Sequence, residues 1–182
     1  MTPLEPELID RAKRGDRQAF ALIVDRLYSR ALRFARQMLG HAEDAEEAVQ
    51  DTFVRVHRYL DGFQSGAAFD PWFFRILANR CRTMLEKRKR HYALIDYGDL
   101  PIDAAGPSAP ATAPDEFQQA VHRILDTLPA EQREAFLLRH VEDLSYEDMM
   151  DITGAGLSAL RMRVKRACDA LRQQLAEVHH DR

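Results

Sequence analysis

Apolar residues recur at helical spacing along most of the chain, and no stretch alternates β-branched and polar residues as a half-buried strand does. The pattern predicts an all-α protein. Leu8, Ile9 and Ala12 mark a short first helix ending at Gly15, and Asp16 stands where an N-cap belongs, ahead of a long helix from Arg17 to Leu39. Gly40 stops that helix. A third helix runs from near Asp44 to about Leu60, with Ala45, Val49, Phe53, Val56 and Leu60 on one stripe. Asp70 and Pro71 supply an N-cap and a first-turn proline for a fourth helix reaching about Arg90.

Between Ala93 and Ala113 the periodicity dissolves into Gly98, Pro101, Gly106, Pro107 and Pro110 among small residues, the composition of a linker. Helical signals resume over Phe117–Leu128, Pro129–His140, Ser145–Ile152 and Leu157–Val178. The chain of 182 residues therefore divides into two small helical domains, 1–92 and 115–182, joined by a flexible linker over 93–114. In the second domain Gly154-Ala155-Gly156 joins a short helix tightly to a long one, the spacing of a helix-turn-helix. Ser145 and Asp148 are placed as N-cap and N3 of the short helix.

Apolar residues at 46% and charged residues at 30% fit a folded, soluble chain. No apolar run approaches the roughly 18 residues of a membrane span, and the opening residues have neither a basic nor a hydrophobic signal segment, so a cytoplasmic location is expected. Cys81 and Cys168 form no CxxC pair and read as small buried hydrophobes. A net charge of −3 weighs against a nucleic-acid binder, but the charges are segregated. Ala42 to Asp51 holds five acidic residues and no basic one; Arg80 to His91 holds six Lys or Arg against Glu86 alone. Such segregation predicts two different partners.

Three surfaces follow. On the last helix Leu157, Leu160, Val164, Ala167 and Leu171 share one arc and face a core. Away from it lie Ser158, Arg161, Met162, Lys165, Arg166 and Arg172, a cationic face fit for a DNA major groove, with Arg163 nearer the core boundary. By periodicity alone a solvated basic face accounts for it equally well. On the fourth helix Arg80, Arg82, Lys87, Arg88, Lys89 and Arg90 can follow a phosphate backbone, while Phe63 and Phe69 in the preceding loop offer stacking platforms or a pocket for an unpaired base. Trp72 and Phe74 read as core. The third helix leaves Glu47, Asp51, Val54 and Arg58 opposite its core stripe; a favourable helix dipole explains Glu46 and Glu47 but not Asp51 or Val54. No phosphate loop, metal-ligand spacing or catalytic set appears, so neither enzyme activity nor a cofactor is expected.

Ordered segments of the chain resemble the extracytoplasmic-function (ECF) sigma factors of bacterial RNA polymerase, in the sigma-70 superfamily. Residues 44–53, DAEEAVQDTF, resemble that family's DAEDLVQETF, and residues 69–79, FDPWFFRILAN, resemble FRAWLYRIARN. Leu128 to Phe136 and Leu144 to Asp148 resemble LPxxxREVxxLR and LSYEEIA. The resemblance implies that the acidic helix, through Asp44, Glu47, Gln50, Asp51 and Val54, binds the beta-prime clamp coiled coil of core RNA polymerase, with the beta flap as a further contact. It implies that Phe63, Phe69, Asn79, Arg80, Arg82, Lys87 and Arg88 melt and read a minus-ten promoter element. The helix-turn-helix, through Ser158, Arg161, Met162, Arg163, Lys165 and Arg166, would read a minus-thirty-five element. An anti-sigma factor is a further implied partner.

The family's GISxGTVKSRLHRAR corresponds here to residues 154–168, GAGLSALRMRVKRAC. Gly156 replaces the usual Ser cap, which weakens the helix start by a few tenths of a kcal/mol. Ala159 and Met162 replace Thr and Ser, which shifts the expected promoter sequence. The competing reading is a stand-alone helix-turn-helix regulator dimerising through its N-terminal bundle, and a nucleic-acid-processing enzyme comes third. A self-sufficient regulator binds duplex DNA alone and as a dimer.

Overall fold

The computed structural model describes residues 4–64, 66–95 and 116–180. Its regular elements are helical, with no strand among the described residues. They are α1 (Pro6–Lys13), α2 (Arg17–Leu39), α3 (Ala42–Tyr59), α4 (Phe69–Ile95), α5 (Glu116–Thr127), α6 (Ala130–Phe136), α7 (Tyr146–Thr153) and α8 (Leu157–His180). A 3₁₀ turn, Leu60–Gly62, follows α3, and a π-helical segment, Leu137–Val141, continues α6. No described helix is long and apolar enough to cross a membrane.

Local chemistry sets the helix ends. Asp16 Oδ1 accepts from the backbone N–H groups of Gln18 at 2.9 Å and Ala19 at 3.1 Å, which satisfies two orphan donors of α2. Those bonds, the Ala19 one foremost, and the neighbouring Arg11 hold the Asp16 carboxyl below its ordinary pKa. Gly40 closes α2 at φ 75°, a left-handed conformation that favours glycine. The last turn of α2 is capped from two directions. Arg133 donates to the carbonyls of Gln37 at 3.1 Å and Met38 at 3.2 Å, and Arg88 donates to that of Leu39 at 3.1 Å.

Two corrections to the sequence reading fall on α4. Asp70 is not its N-cap: the helix already includes Phe69, and Asp70 lies in the first turn with its carboxylate 2.7 Å from Arg30. The helix also runs to Ile95, past the expected end at about Arg90. Most of the expected linker lies outside the described residues.

Helices α1–α4 enclose Ile23, Leu27, Phe34, Met38, Val49, Val56, Phe73, Phe74 and Leu77, all essentially inaccessible. Phe34 and Phe74 meet edge to face at 5.5 Å between centroids, and burying each such ring contributes about 1.5–3 kcal/mol. Helices α5–α8 bury Leu125, Leu137, Leu138, Met149, Leu160 and Ala167. The two groups pack on each other, α4 against α7 and α2 against α5 and α6.

Cross-bundle ion pairs seal this packing. Arg30 grips Glu142 Oε2 through Nη2 at 2.9 Å and Nε at 3.1 Å while Nη1 holds Asp70. Arg82 reaches Glu134 at 3.1 Å and the Ile152 carbonyl at 2.9 Å. Burial pushes the pKa of both glutamates up, and their arginine partners oppose that shift.

The cysteines differ from the expectation that both are buried. Cys81 is inaccessible, and burial pushes its thiol pKa up to about 12. Cys168 is partly exposed, its Sγ 3.5 Å from His140 Nε2. Because the thiolate is the reacting species and access is required, an alkylating reagent at pH 8 is expected to label Cys168 and spare Cys81 in the native protein. Peptide masses read the result, and equal labelling of the two would contradict the packing around Cys81.

Candidate functional site

The acidic surface belongs to α3. Ala45, Ala48, Val49, Thr52, Phe53 and Val56 turn inward, so Glu47, Gln50 and Val54 point to solvent, with Asp44 and Asp51 at the margin. Val54 is 58% exposed, an apolar side chain turned outward among charged ones. The carboxylates are tied to basic neighbours. Arg80 Nη2 lies 2.8 Å from both Glu47 and Asp51, and Arg88 lies 3.8 Å from Asp44. Arg80 and Arg88, assigned from sequence to a DNA surface, are thus turned toward α3 and the end of α2.

The loop aromatics depart from expectation. Phe63 and Phe69 are 5% and 4% exposed, so they are buried rather than open platforms. They form a cluster with Trp72, which is only partly buried; the three centroids are 5.0–5.3 Å apart. The physical reason is tertiary: the loop folds back over α1, where Lys13 Nζ donates to the Phe63 carbonyl at 2.7 Å. A cavity of about 490 Å³ lies between this loop, α1 and the turn before α7, lined by Leu4, Ile9, Phe63, Phe69, Glu142 and Leu144 among others. The same loop therefore has a hollow beside it that residues of the C-terminal bundle help to line.

Further along α4, Asn79 is exposed and its side-chain oxygen accepts from Arg82. Arg82 is committed to Glu134 and Ile152 on the C-terminal bundle, and Lys87 points to solvent. Of the seven residues expected to face DNA here, only Asn79 and Lys87 are exposed.

The helix-turn-helix has the geometry expected of it. Ser145 Oγ accepts from the Asp148 N–H at 3.1 Å, and the Asp148 carboxylate accepts from the Ser145 N–H at 3.1 Å, a complete capping box for α7. Gly154 ends α7 at φ 70°, and Thr153 Oγ1 braces the turn by accepting from the Ala155 N–H at 3.2 Å. Gly156 lends its carbonyl to the first bond of α8, from the Leu160 N–H at 3.1 Å. Leu160, Val164, Ala167 and Leu171 are buried, leaving Ser158, Arg161, Met162, Lys165 and Arg166 exposed along the opposite face. Arg163 is half-buried and ion-paired with Glu131, as its place near the core boundary implies. Arg139 and Arg161 both lie over the Tyr146 ring, 5.6 Å and 5.7 Å from its centroid, a contact that helps to orient Arg161 on the exposed face.

Sequence reasoning missed Arg30, Arg133, Glu134, Glu142 and Tyr146. One signal was available: Glu134 occupies a core-facing position beside Ala135, Leu137 and Leu138, where an unpaired carboxylate would be costly.

Comparison with known proteins agrees with this arrangement. The Sigma-70 region 2 family matches residues 23–91 and the Sigma-70 region 4 family residues 118–171, together most of the chain. The RNA polymerase sigma-H factor of Pseudomonas aeruginosa is 29% identical over 180 residues, covering 94% of this chain and 93% of its own. The ECF RNA polymerase sigma factor SigW of Bacillus subtilis is 27% identical, with 93% and 96% covered. Among solved structures, the sigma factor RpoE of Bartonella quintana, in complex with the anti-sigma factor NepR, superimposes with a TM-score of 0.73 at 29% identity, covering 86% of this chain and 96% of that one. CnrH, in complex with the cytosolic domain of CnrY, shares the fold at a TM-score of 0.68 and 23% identity. A region 2 bundle followed by a capped region 4 helix-turn-helix, in a chain with ECF relatives along nearly its whole length, makes this protein a member of the sigma-70 family, a non-enzymatic factor that directs RNA polymerase to promoters.

Proposed function

We propose a division of labour among the three surfaces. The exposed strip of α3, Asp44, Glu47, Gln50, Asp51 and Val54, docks on the clamp of core polymerase. The N-terminal domain, residues 1–92, reads the minus-ten element through the Phe63–Phe69 loop and the Asn79, Arg82 and Lys87 stretch of α4. The domain over 115–182 reads the minus-thirty-five element with Ser158, Arg161, Met162, Lys165 and Arg166. The observation that carries this reading is the α8 face: five polar, cationic or flexible side chains project from a helix whose start is fixed by a tight glycine turn and a capped partner helix. Binding to core polymerase and start-site mapping on promoter DNA test it together. An anti-sigma factor is a further partner, as in the complex of the RpoE relative with NepR.

The packed arrangement has a consequence for the order of events. Arg82 is held by Glu134, and the hollow beside the Phe63–Phe69 loop is lined on one side by the turn bearing Glu142. Minus-ten reading therefore follows separation of the two bundles.

Arg30 is the place to test this. It faces Asp70 and Glu142 at once, so Arg30→Glu sets three carboxylates together, and like charges juxtaposed across an interface cost several kcal/mol. The variant is expected to keep its helical content by circular dichroism while its radius of gyration in solution scattering rises. Adding Glu142→Arg should restore compactness by reversing the pair. A radius equal to that of the wild type in Arg30→Glu would contradict the role given to this ion pair.

A further inference from the structure

Arg80 is unlike the other cations of α4. Its side chain is only 12% exposed, and one nitrogen, Nη2, lies 2.8 Å from Glu47 Oε1 and 2.8 Å from Asp51 Oδ2. Its Nε is buried without a hydrogen-bond partner, so the guanidinium is placed for the two carboxylates rather than for a full set of donors. Glu47 and Asp51 stand one turn apart on α3, where like charges repel, and both reach into solvent at 61% and 44% exposure. Left alone, two such side chains sample several rotamers, and ordering them on binding weakens association.

We propose that Arg80 is a positioning residue for polymerase docking: from α4 it brackets Glu47 and Asp51, offsets their repulsion and fixes both carboxylates on the face that meets the clamp. This rests on the docking role assigned above to the α3 strip. It also gives the adjoining turn of α4 a double duty, since Asn79 and Arg82 belong to the DNA-reading stretch while Arg80 between them serves the polymerase surface. The helix that reads minus-ten and the helix that docks are thereby mechanically joined, and a shift of one repositions the charges of the other. Both acceptors are served by the one terminal nitrogen, Nη2, held at the end of a planar guanidinium that is less mobile than a lysine ammonium on its flexible stem.

The test is a titration of fluorescently labelled core RNA polymerase with the full-length chain and four variants: Arg80→Ala, Arg80→Lys, Glu47→Gln with Asp51→Asn, and the combination of Arg80→Ala with that pair. Arg80→Ala is expected to lose roughly tenfold in affinity, about 1.4 kcal/mol, and Arg80→Lys to recover part of it. Glu47→Gln with Asp51→Asn is expected to lose more. In that background Arg80→Ala should add less than about twofold, because a bracket has nothing left to hold. Normal binding by Arg80→Ala and Arg80→Lys beside a weakened carboxylate pair overturns the bracket alone, as does a full additive loss in the combination. Normal binding by the carboxylate pair overturns the docking role itself, and the bracket with it.

Discussion

An Asp51→Arg chain is expected to fold normally and to lose association with core RNA polymerase. Asp51 is 44% exposed at the margin of α3, so an arginine can extend into solvent without disturbing the buried Thr52 and Phe53 beside it. The electrostatics change far more than the packing. The substitution removes one of two carboxylates bracketed by Arg80, places a cation beside that guanidinium, and reverses the sign of the docking strip. Like charges forced together at an interface cost several kcal/mol. At about 1.4 kcal/mol per tenfold, the loss exceeds a hundredfold and appears as failure to co-purify with core. Unimpaired co-purification would remove α3 from the docking surface.

The second large effect is expected at the helix-turn-helix. Arg161→Ala combined with Arg166→Ala should weaken minus-thirty-five recognition by roughly 1–3 kcal/mol for each base that an arginine no longer reaches. Both side chains are exposed on the face of α8 opposite its core stripe, and Arg161 is held over the Tyr146 ring. Arg163→Ala should cost less, because Arg163 is occupied by Glu131 and half-buried. Transcription from the cognate promoter reads the difference directly. A double variant that transcribes as well as the wild type would show that α8 does not read the promoter through these arginines.

The elements were legible from sequence wherever the signal is local. Asp16 and Gly40 bound α2, and Ser145 with Asp148 caps α7, because caps and glycine stops are written within a few residues of the helix they end. The amphipathic stripe of α3 followed from spacing alone, and so did that of α8 except at Leu157, which was expected on the core side but is exposed in the first turn of the helix. The start of α4 was misjudged because Asp70 has the right chemistry for a cap but is drawn to Arg30, forty residues away in sequence. The burial of the loop aromatics was not legible for a related reason: whether Phe63 and Phe69 are open or covered depends on α1 and the cross-bundle packing, which no local pattern reports. The pairs Arg30–Glu142 and Arg82–Glu134 span 112 and 52 residues, and only tertiary structure brings them together. Arg80 shows the same limit within the site. Its charge and position on a basic helix pointed to DNA, while the fold directs it to the acidic face of α3.

That the chain confers promoter selectivity on a polymerase, with the two elements read by separate domains, is the centre of this account. The most direct measurement is run-off transcription with purified core enzyme, with and without the chain, on genomic fragments, followed by mapping of the RNA 5′ ends. The expected result is a small set of start sites that depend on the chain and share upstream elements near minus ten and minus thirty-five. Transcripts identical with and without it, alongside tight binding of duplex DNA by a dimer of the chain alone, would contradict the account and favour a stand-alone regulator.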